Sequence, residues 1–410
     1  MSYFFHGSKY YTVFRRIINL KLSSEAAESN LDDHQQNNMN TSQDGSKSEG
    51  RSGSWLLPGD RRRFTRRSSL RALFVTVVSF GYVAAALGLA IAPLPIWVNI
   101  PFSIWAGVVI GGFFVVGHDA LHQSFTGSRS LNNWIGRFAL LPAGYSASLW
   151  VLLHNRTHHR FTNLKGRDGY WEPWSPDDYA AASPVARMFY RLYRSPLGPP
   201  FYHLFELILE HAIPFRGQAR REWRRHVFDT VFVLLGYPVF WGGVIWLGVI
   251  LAPERAIWLT VVLGWGVPFF VWLWVYGFVI YLHHNHPRIA WFDRKEDWTF
   301  HRAQIAGTTE TRLPLPLQVF SNNIMEHTAH HANQGIPLYH LAEAQKLLRR
   351  KLSPVVFVNA AREYFAIIKA CKLFDYRRRQ WLDFQGRATG PVIPLNGFDA
   401  AADPAHRTSA

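Results

Sequence analysis

The chain has 410 residues and a formal net charge of +16 at pH 7, but only 18% of its residues are charged and it contains 17 Trp and 30 Phe. Its single cysteine, Cys371, excludes an internal disulfide and a cysteine-rich zinc site. The basic clusters, at 61–71 and 216–225, come shortly before long uncharged runs, which is typical of contact with anionic lipid headgroups. We therefore expect a membrane protein without a nucleic-acid partner.

The N-terminal 60 residues are polar and low in complexity, with Ser, Asn, Gln and Asp enriched between Ser23 and Gly53. Such a composition buries too little apolar surface to offset the entropy of ordering, which predicts a disordered tail over residues 1–60. A basic, acid-free start weakly resembles a transit peptide, but an ordinary flexible N-terminus is the preferred interpretation. We expect a membrane domain over residues 61–360 and a basic C-terminal extension over 361–410.

No charged residue lies between Ala72 and Gly117, and roughly 20 apolar residues are enough to cross a bilayer core. Pro93 and Pro95 interrupt this run where a turn is required, because proline ends helices. Two further uncharged runs are separated only by residues 253–255. The pattern predicts two helical hairpins with spans at about 72–92, 96–117, 230–252 and 256–282.

Two hairpins that enter and leave by the same face place residues 1–71, 118–229 and 283–410 on one side of the membrane. The large basic clusters all belong to these segments, so the positive-inside rule assigns that side, with both termini, to the cytoplasm. The apolar stretches 138–153 and 201–215 are shorter or more polar than a span, and we interpret them as re-entrant or interfacial segments.

Histidines are concentrated in four places on this cytoplasmic side. Two follow the second span and three follow the fourth. The remaining groups lie in the long segments after each hairpin. They are HDALH (His118, His122), HNRTHH (His154, His158, His159), HHNHP (His283, His284, His286) and HTAHH (His327, His330, His331).

The spacing within these boxes suits metal ligation. Residues i and i+4 of a helix share a face, so a leading histidine and one member of the following pair can point into one cavity. The other member points about 100° away and can reach a second metal. Three boxes supply enough imidazoles for two ions and too many for one, and imidazole suits iron, copper, zinc and nickel. Asp119 and Glu326 are interpreted as acceptors that orient a histidine, with direct ligation as the alternative.

The order of the boxes resembles that of the membrane fatty acid desaturases, and more narrowly the acyl-lipid omega-6 (delta-12) class. Supporting segments are TNLKGRDGYWEPWSP after the second box, LHHNHPRIAWFD after the fourth span, and NNIMEHTAHH leading into IPLYHL. The resemblance covers roughly residues 70–360. It implies an all-α membrane protein in which four transmembrane helices carry a cytosolic helical cap.

The resemblance also implies two non-haem iron ions held by the box histidines. His284 is the best additional ligand and His286 is the competing choice. His283 is a candidate for supporting a ligand or for replacing one. The implied ligands are His118, His122, His154, His158, His159, His284, His327, His330 and His331. The second box has three residues between its leading histidine and its pair, whereas some relatives have two.

The implied activity is oxygen-dependent insertion of a cis double bond into a fatty acyl lipid, as part of fatty acid biosynthesis. Dioxygen is the co-substrate, and two electrons must come from ferredoxin or a small b-type cytochrome. A tunnel for the acyl chain is expected, and aromatic residues of the fourth span are candidates for its lining, although such residues more often contact lipid or neighbouring helices. These candidates are Trp265, Trp272, Trp274, Tyr276 and Phe278.

Two other interpretations remain open. A hydroxylase acting on acyl chains, alkanes or carotenoids would use the same metal site, because hydroxyl rebound competes with loss of a second hydrogen. A histidine-rich transporter or haem protein is the more remote alternative, since it would place its polar residues within the spans. The four predicted spans are nearly free of ionisable side chains.

Overall fold

A computed structural model describes residues 56, 58–208, 220–315, 317–352 and 356–395, and the chain in these ranges is mostly helical. Four stretches of the described chain are long and apolar enough to cross a membrane, and they overlap the four predicted spans. They are Ser69–Ile91, Ile96–Leu121, Glu222–Leu251 and Ile257–His284. The second and fourth extend further than predicted and carry box histidines at their ends.

The helices are numbered in chain order. Those of the first half are α1 Pro58–Phe64, α2 Ser69–Ile91, α3 Ile96–Leu121, α4 Arg129–Leu140, α5 Ala147–Trp150, α6 His159–Phe161, α7 Pro176–Ala181, α8 Pro184–Tyr193 and α9 Pro199–Tyr202. Those of the second half are α10 Arg220–Leu251, α11 Ile257–Val261, α12 Val267–His284, α13 Leu317–Phe320, α14 His327–Ala332, α15 Leu338–Lys351 and α16 Ala360–Ala370. A 3₁₀ turn covers Leu141–Ala143, and π-helical segments cover Val151–His158, His203–Ile208, Val262–Gly266 and His301–Ile305.

The ends of the first two spans follow from local chemistry. Helix α2 begins after Ser68, whose side-chain oxygen accepts a hydrogen bond from the backbone N–H of Arg71. It ends before Pro93 and Pro95, and α3 starts directly after Pro95, because proline cannot continue a preceding helix. The two long helices pack along each other.

Helix α3 forms the centre of the molecule and packs against α2, α4 and α12. Its close approach to α12 depends on Gly107, where a Cβ atom would lie 2.5 Å from the carbonyl oxygen of Pro268. By contrast, α10 leaves large apolar side chains uncovered, with Val239 74% and Leu235 67% exposed. A helix this apolar and this exposed is suited to contact with lipid.

Beyond the spans, the chain forms two small sheets that the all-α prediction missed. Strand β1 (Thr309–Arg312) pairs in parallel with β2 (Val356–Asn359), so that Thr309 lies opposite Val356. Strands β3 (Leu373–Asp375) and β4 (Gln380–Leu382) pair antiparallel, with Phe374 opposite Trp381. Both of these aromatic side chains are fully buried, and the indole N–H of Trp381 donates to the carbonyl of Ile289 at 2.9 Å.

Within the predicted basic C-terminal extension 361–410, the described residues contribute buried side chains such as Ile367, Phe374 and Trp381 to an apolar cluster. The rest of that predicted extension, 396–410, lies outside the described residues. The predicted tail 1–60 also lies outside them, apart from Leu56 and residues 58–60, which begin helix α1.

Candidate metal centre

Nine buried or half-buried histidines converge from four separate segments into two groups. Within each group, one ring nitrogen of every histidine lies within 4.8 Å of those of the other members. They are the nine histidines that the resemblance implied as ligands. The first group contains His118, His122, His154, His159 and His330. The second contains His158, His284, His327 and His331.

The first box lies at the end of α3, where the helical geometry continues one residue beyond the last regular turn. The backbone N–H of His122 donates to the carbonyl of His118 at 3.1 Å. The two side chains therefore share one face of the helix, with ring centroids 4.6 Å apart. Both contribute to the first group, as the i, i+4 spacing predicts.

The second box lies on a π-helical segment, Val151–His158, instead of an α-helix. The backbone N–H of His159 donates to the carbonyl of His154, five residues earlier. This wider turn brings the Nε2 atoms of His154 and His159 to 3.0 Å in the first group. His158, one residue before the end of the box, points into the second group.

The third box lies on α14, an ordinary α-helical turn. His327 and His331, four residues apart, both belong to the second group. His330 crosses to the first group, where its Nε2 lies 3.2 Å from that of His159. His284, at the end of α12, completes the second group with its Nε2 3.0 Å from that of His327.

These nitrogen-to-nitrogen distances fit a metal ion better than a set of hydrogen bonds. The Nε2 atom of His154 faces two other Nε2 atoms, those of His118 at 3.1 Å and His159 at 3.0 Å. A neutral imidazole has one N–H, so one nitrogen cannot satisfy both neighbours. With a metal–nitrogen distance of about 2.1 Å, two ligands at right angles lie roughly 3.0 Å apart. The donor set in both groups therefore suits a bound cation.

Burial keeps five of these imidazoles neutral, which is the form that binds metal. Removal from water lowers the pKa of His154, His159, His327 and His331 well below the usual value, and neighbouring histidines lower it further. The same causes lower the pKa of His330 to about 3. Their ring nitrogens thus keep a free lone pair at neutral pH.

Two residues that the sequence analysis missed orient these rings. Asp168 accepts a hydrogen bond from Nδ1 of His158 at 2.8 Å, and its other oxygen accepts from the backbone N–H of Asn163 at 2.8 Å. Gln304 accepts from Nδ1 of His331 at 2.7 Å and donates to the carbonyl of His159 at 2.6 Å. Such bonds to Nδ1 leave Nε2 as the lone-pair atom that faces the group.

Of the two acidic residues that were predicted to orient a histidine, Asp119 accepts hydrogen bonds from other groups. The carboxylate of Asp119 accepts from the Ser124 hydroxyl at 2.7 Å and from the backbone N–H of Leu338 at 3.1 Å. It therefore ties the end of α3 to the start of α15. Glu326 immediately precedes α14, and burial raises its pKa to about 7.

The other two histidines of the HHNHP segment are outside both groups. His283 stacks on His327 with ring centroids 3.8 Å apart and an interplanar angle of 19°. Nδ1 of His286 accepts from the backbone N–H of Arg288 at 3.1 Å, and burial lowers the pKa of this ring to about 4. Of the two competing additional ligands, His284 lies in the second group with His158, His327 and His331, whereas His286 belongs to neither group.

An apolar cavity of about 110 Å³ ends at these histidines. Four of the five aromatic candidates of the fourth span line it, and Trp265 does not. Its lining includes Val108, Gly111, Gly112, Phe114, Val115, His118, His154, Trp272, Trp274, Tyr276, Phe278, Val279, His283, Phe320, Met325 and His327. A chain of methylene groups is the kind of ligand that such a wall accommodates.

Comparison with known proteins adds a family assignment to this geometry. A sequence model described as fatty acid desaturase matches residues 95–358. The sn-1 oleoyl-lipid 12-desaturase of Picosynechococcus sp. is 31% identical over 309 residues, which covers 72% of this chain and 82% of that protein. The protein of the same description from Synechocystis sp. is 30% identical over 299 residues, covering 72% and 80%. The chloroplastic omega-6 fatty acid desaturase of Arabidopsis thaliana is 26% identical over 350 residues, covering 83% and 72%.

Proposed function

This chain belongs to the fatty acid desaturase family, and we propose that it is an acyl-lipid desaturase of the delta-12 (omega-6) type. In this proposal it inserts a cis double bond into an acyl chain already present in a membrane lipid. The observation that carries the proposal is the convergence of nine histidines, in two groups, at the end of an apolar cavity. The similarity to proteins described as oleoyl-lipid 12-desaturases supports the choice of substrate and position.

We propose that each group of histidines holds one iron ion. Bound iron would supply the activation of dioxygen that removal of hydrogen from unactivated methylenes requires, because no side chain is a strong enough oxidant. The neutral rings of both groups provide the ligands, and Asp168 and Gln304 hold two of those rings in the tautomer that presents Nε2.

The apolar cavity would position the acyl chain and exclude water from the reacting carbons. His118, His154 and His327 form part of its wall, so a chain within it passes the edge of both groups. Phe114 and Trp272 narrow the cavity on the side of α3 and α12, with ring centroids 4.9 Å apart. Such packing fixes which carbons lie beside the histidines, and placement is what decides between desaturation and hydroxylation.

We further propose that the spans form two hairpins and that the boxes and both termini face the cytoplasm. The basic clusters beside the spans support this orientation. In the same arrangement, residues 61–360 form the catalytic membrane domain with a cytosolic cap. A ferredoxin or small b-type cytochrome would dock on this basic side, and high salt would slow turnover by screening the contact.

Expression in a host that contains oleoyl lipids but makes no polyunsaturated lipid tests the proposed function. We expect a second double bond at carbon 12 of the oleoyl chain, located by mass spectrometry of derivatised fatty acids. Hydroxylated chains in place of dienes would support the hydroxylase interpretation instead. A lipid profile identical to that of the host, despite iron-loaded protein in the membrane, would contradict both.

A further inference from the structure

We propose that a second cavity, on the membrane-facing side of α2 and α3, admits the acyl chain of a lipid sideways. In this proposal Phe320 separates it from the apolar cavity lined by His118, His154 and His327, here called the catalytic cavity. This inference rests on the proposed function, because it assigns a route to the same acyl substrate. The site would take an acyl chain of a bilayer glycerolipid, not a water-soluble acyl carrier.

The second cavity, here called the lateral cavity, has a volume of about 180 Å³ and lies between α2, α3 and α13. It includes Phe74, Val78, Ser79, Tyr82, Val109 and Asn322 in its wall. None of these six residues lines the catalytic cavity. The two spaces are therefore distinct, although they share two lining residues.

The partition between the two cavities is thin. Gly112 and Phe320 line both of them. Gly112 has no room for a side chain, since a Cβ atom would lie 2.2 Å from the carbonyl oxygen of Phe320. The aromatic ring of Phe320 is consequently the main movable group in the partition, and a change of its rotamer would connect the spaces.

Two aromatic contacts hold the ring in its closed position. Phe320 meets Tyr82 of α2 at 4.9 Å between centroids and 78° between planes. It meets Trp105 of α3 at 4.5 Å and 90°. Both are edge-to-face arrangements, which are favourable but lack the directional constraint of a hydrogen bond. The ring is thus positioned by contacts that a rotamer change can break and re-form.

The surroundings of the lateral cavity indicate a lipid as its occupant. Phe74 and Val77 on α2 are 68% and 59% exposed, and Val319 on α13 is 65% exposed. Apolar side chains this exposed on a candidate span face the bilayer, so a ligand that arrives there is one dissolved in the membrane.

Two of the polar side chains in the wall, Ser79 and Asn322, are paired with each other. The side-chain amide of Asn322 donates to the Ser79 hydroxyl at 3.2 Å and to the carbonyl of Gly112 at 2.8 Å. The residues that line the lateral cavity include no charged side chain, so they offer no counter-ion to a charged headgroup, and a methylene chain is the better match. The neighbouring cavity, which shares Gly112 and Phe320 with it and is lined by box histidines, gives that chain a destination.

Filling the lateral cavity without touching the catalytic cavity tests the proposal. Val78→Trp adds bulk inside the lateral cavity, whereas Val77→Trp adds the same bulk to the neighbouring exposed position and serves as the control. With full-length enzyme in nanodiscs of oleoyl lipid, we expect Val78→Trp to lower kcat/KM by about tenfold or more and Val77→Trp to change it by less than about twofold. Iron content per chain and thermal stability should be unchanged in both.

A binding measurement provides a readout independent of turnover. A phospholipid with a photoreactive diazirine in its acyl chain should label wild-type protein at residues of the lateral cavity, and unlabelled oleoyl lipid should compete. Val78→Trp should abolish this label and Val77→Trp should retain it. Equal activity and equal labelling in both variants, or label only on the outer face of α10, would overturn the proposal. Labelling in a protein that forms no double bond would contradict the proposed function and leave the lateral site supported.

Discussion

The second and third histidine boxes divide their rings between the two groups in the same way, but on two different kinds of helix. In HNRTHH the first and last histidines share one group and the middle one crosses to the other, and HTAHH follows the same rule. The last histidine is five residues after the first in the π-helical box and four residues after it in the α-helical box. The additional residue of the second box is therefore accommodated by a wider helical turn, and the division of its rings between the groups is unchanged.

The second and third boxes each contribute histidines to both groups. The second box gives two rings to the first group and one to the second, and the third box does the reverse. Each box thus contributes rings to both groups. Loss of one ring from either box therefore leaves a group that still contains rings of the other box. Four predictions test this comparison of the second and third boxes, from the largest expected effect to the smallest.

The largest effect should come from removing the last histidine of each box. His159→Ala removes a ring of the first group and His331→Ala removes one of the second. Each should lower activity by at least about 100-fold, more than the loss typical of residues that only support a ligand. Metal analysis of purified protein should show about one iron per chain lost in either variant, because the other group remains whole.

Double variants sharpen this prediction because they distinguish crossed groups from separate boxes. His159→Ala combined with His330→Ala affects only the first group, although the two residues come from different boxes. This pair should retain one iron per chain, whereas His159→Ala with His331→Ala should retain none. If iron content followed the boxes instead of the groups, the crossed arrangement would be wrong.

Deleting one residue from each box should have very different consequences. Without Thr157, the second box becomes HNRHH, which places its last histidine four residues after the first and allows an α-helical turn. We expect this variant to keep at least about a tenth of wild-type activity, since removing the additional residue of a π-helical segment restores ordinary helix geometry.

The matched deletion in the third box is that of Ala329, which lies within an α-helical turn that has no residue to spare. Its loss rotates the following pair by about 100° relative to His327, and activity should fall by at least about 100-fold. Both variants are compared by double-bond formation per unit of membrane-inserted protein. Equal losses would show that the wider turn of the second box is not what accommodates its additional residue.

The boxes also differ in how their rings are oriented, and this difference gives the third prediction. His158 donates to the carboxylate of Asp168, whereas His331 donates to the neutral amide of Gln304. We expect Asp168→Leu to weaken metal binding by about 10- to 100-fold and Gln304→Leu by about tenfold, because a carboxylate acceptor forms a stronger hydrogen bond than an amide oxygen. Titration of the metal-free protein with cobalt(II) gives the affinity, and its visible spectrum reports the ligand environment. A larger loss in Gln304→Leu would reverse this ranking.

Some of this site follows from the sequence and some does not. The pairing of His118 with His122 needs only an α-helix, and the uncharged runs locate the four candidate spans. Which member of the 158–159 pair accompanies His154 depends on whether the turn is α or π, and tertiary packing decides that. The orienting residue Asp168 had a weak signal, as an acid shortly after a box.

Gln304 had no comparable signal in the sequence. It is 145 residues from the carbonyl to which it donates, and nothing in its local pattern indicates the contact. The same reason explains why the β1–β2 pair was missed, since its strands lie far apart in the chain. Contacts between distant segments depend on how the spans pack, and that packing is not encoded in residue spacing.

The smallest expected effect concerns the acid sensitivity of the metal-free protein. An unfolded histidine has a pKa of about 6.5, whereas the pKa of His330 is lowered to about 3 and that of His159 is also well below the usual value. The unfolded chain therefore binds more protons below pH 6.5, so stability is fully present above that pH and is lost as the pH falls toward the folded pKa. Linkage sets the loss at about 1.4 kcal/mol per histidine for each pH unit in this window.

Denaturant unfolding in detergent at pH 7.5 and pH 5.5 measures this loss, and single variants assign it to each box. His159→Asn and His330→Asn should each reduce the pH dependence by the share of one histidine, because both rings are buried in the same group. Since the two residues come from the π-helical and the α-helical box, equal reductions are the expected result. A reduction in only one of them would show that the two boxes do not bury their rings to the same extent. The π-helical and the α-helical box would then contribute unequally to the pH dependence of the unfolding free energy.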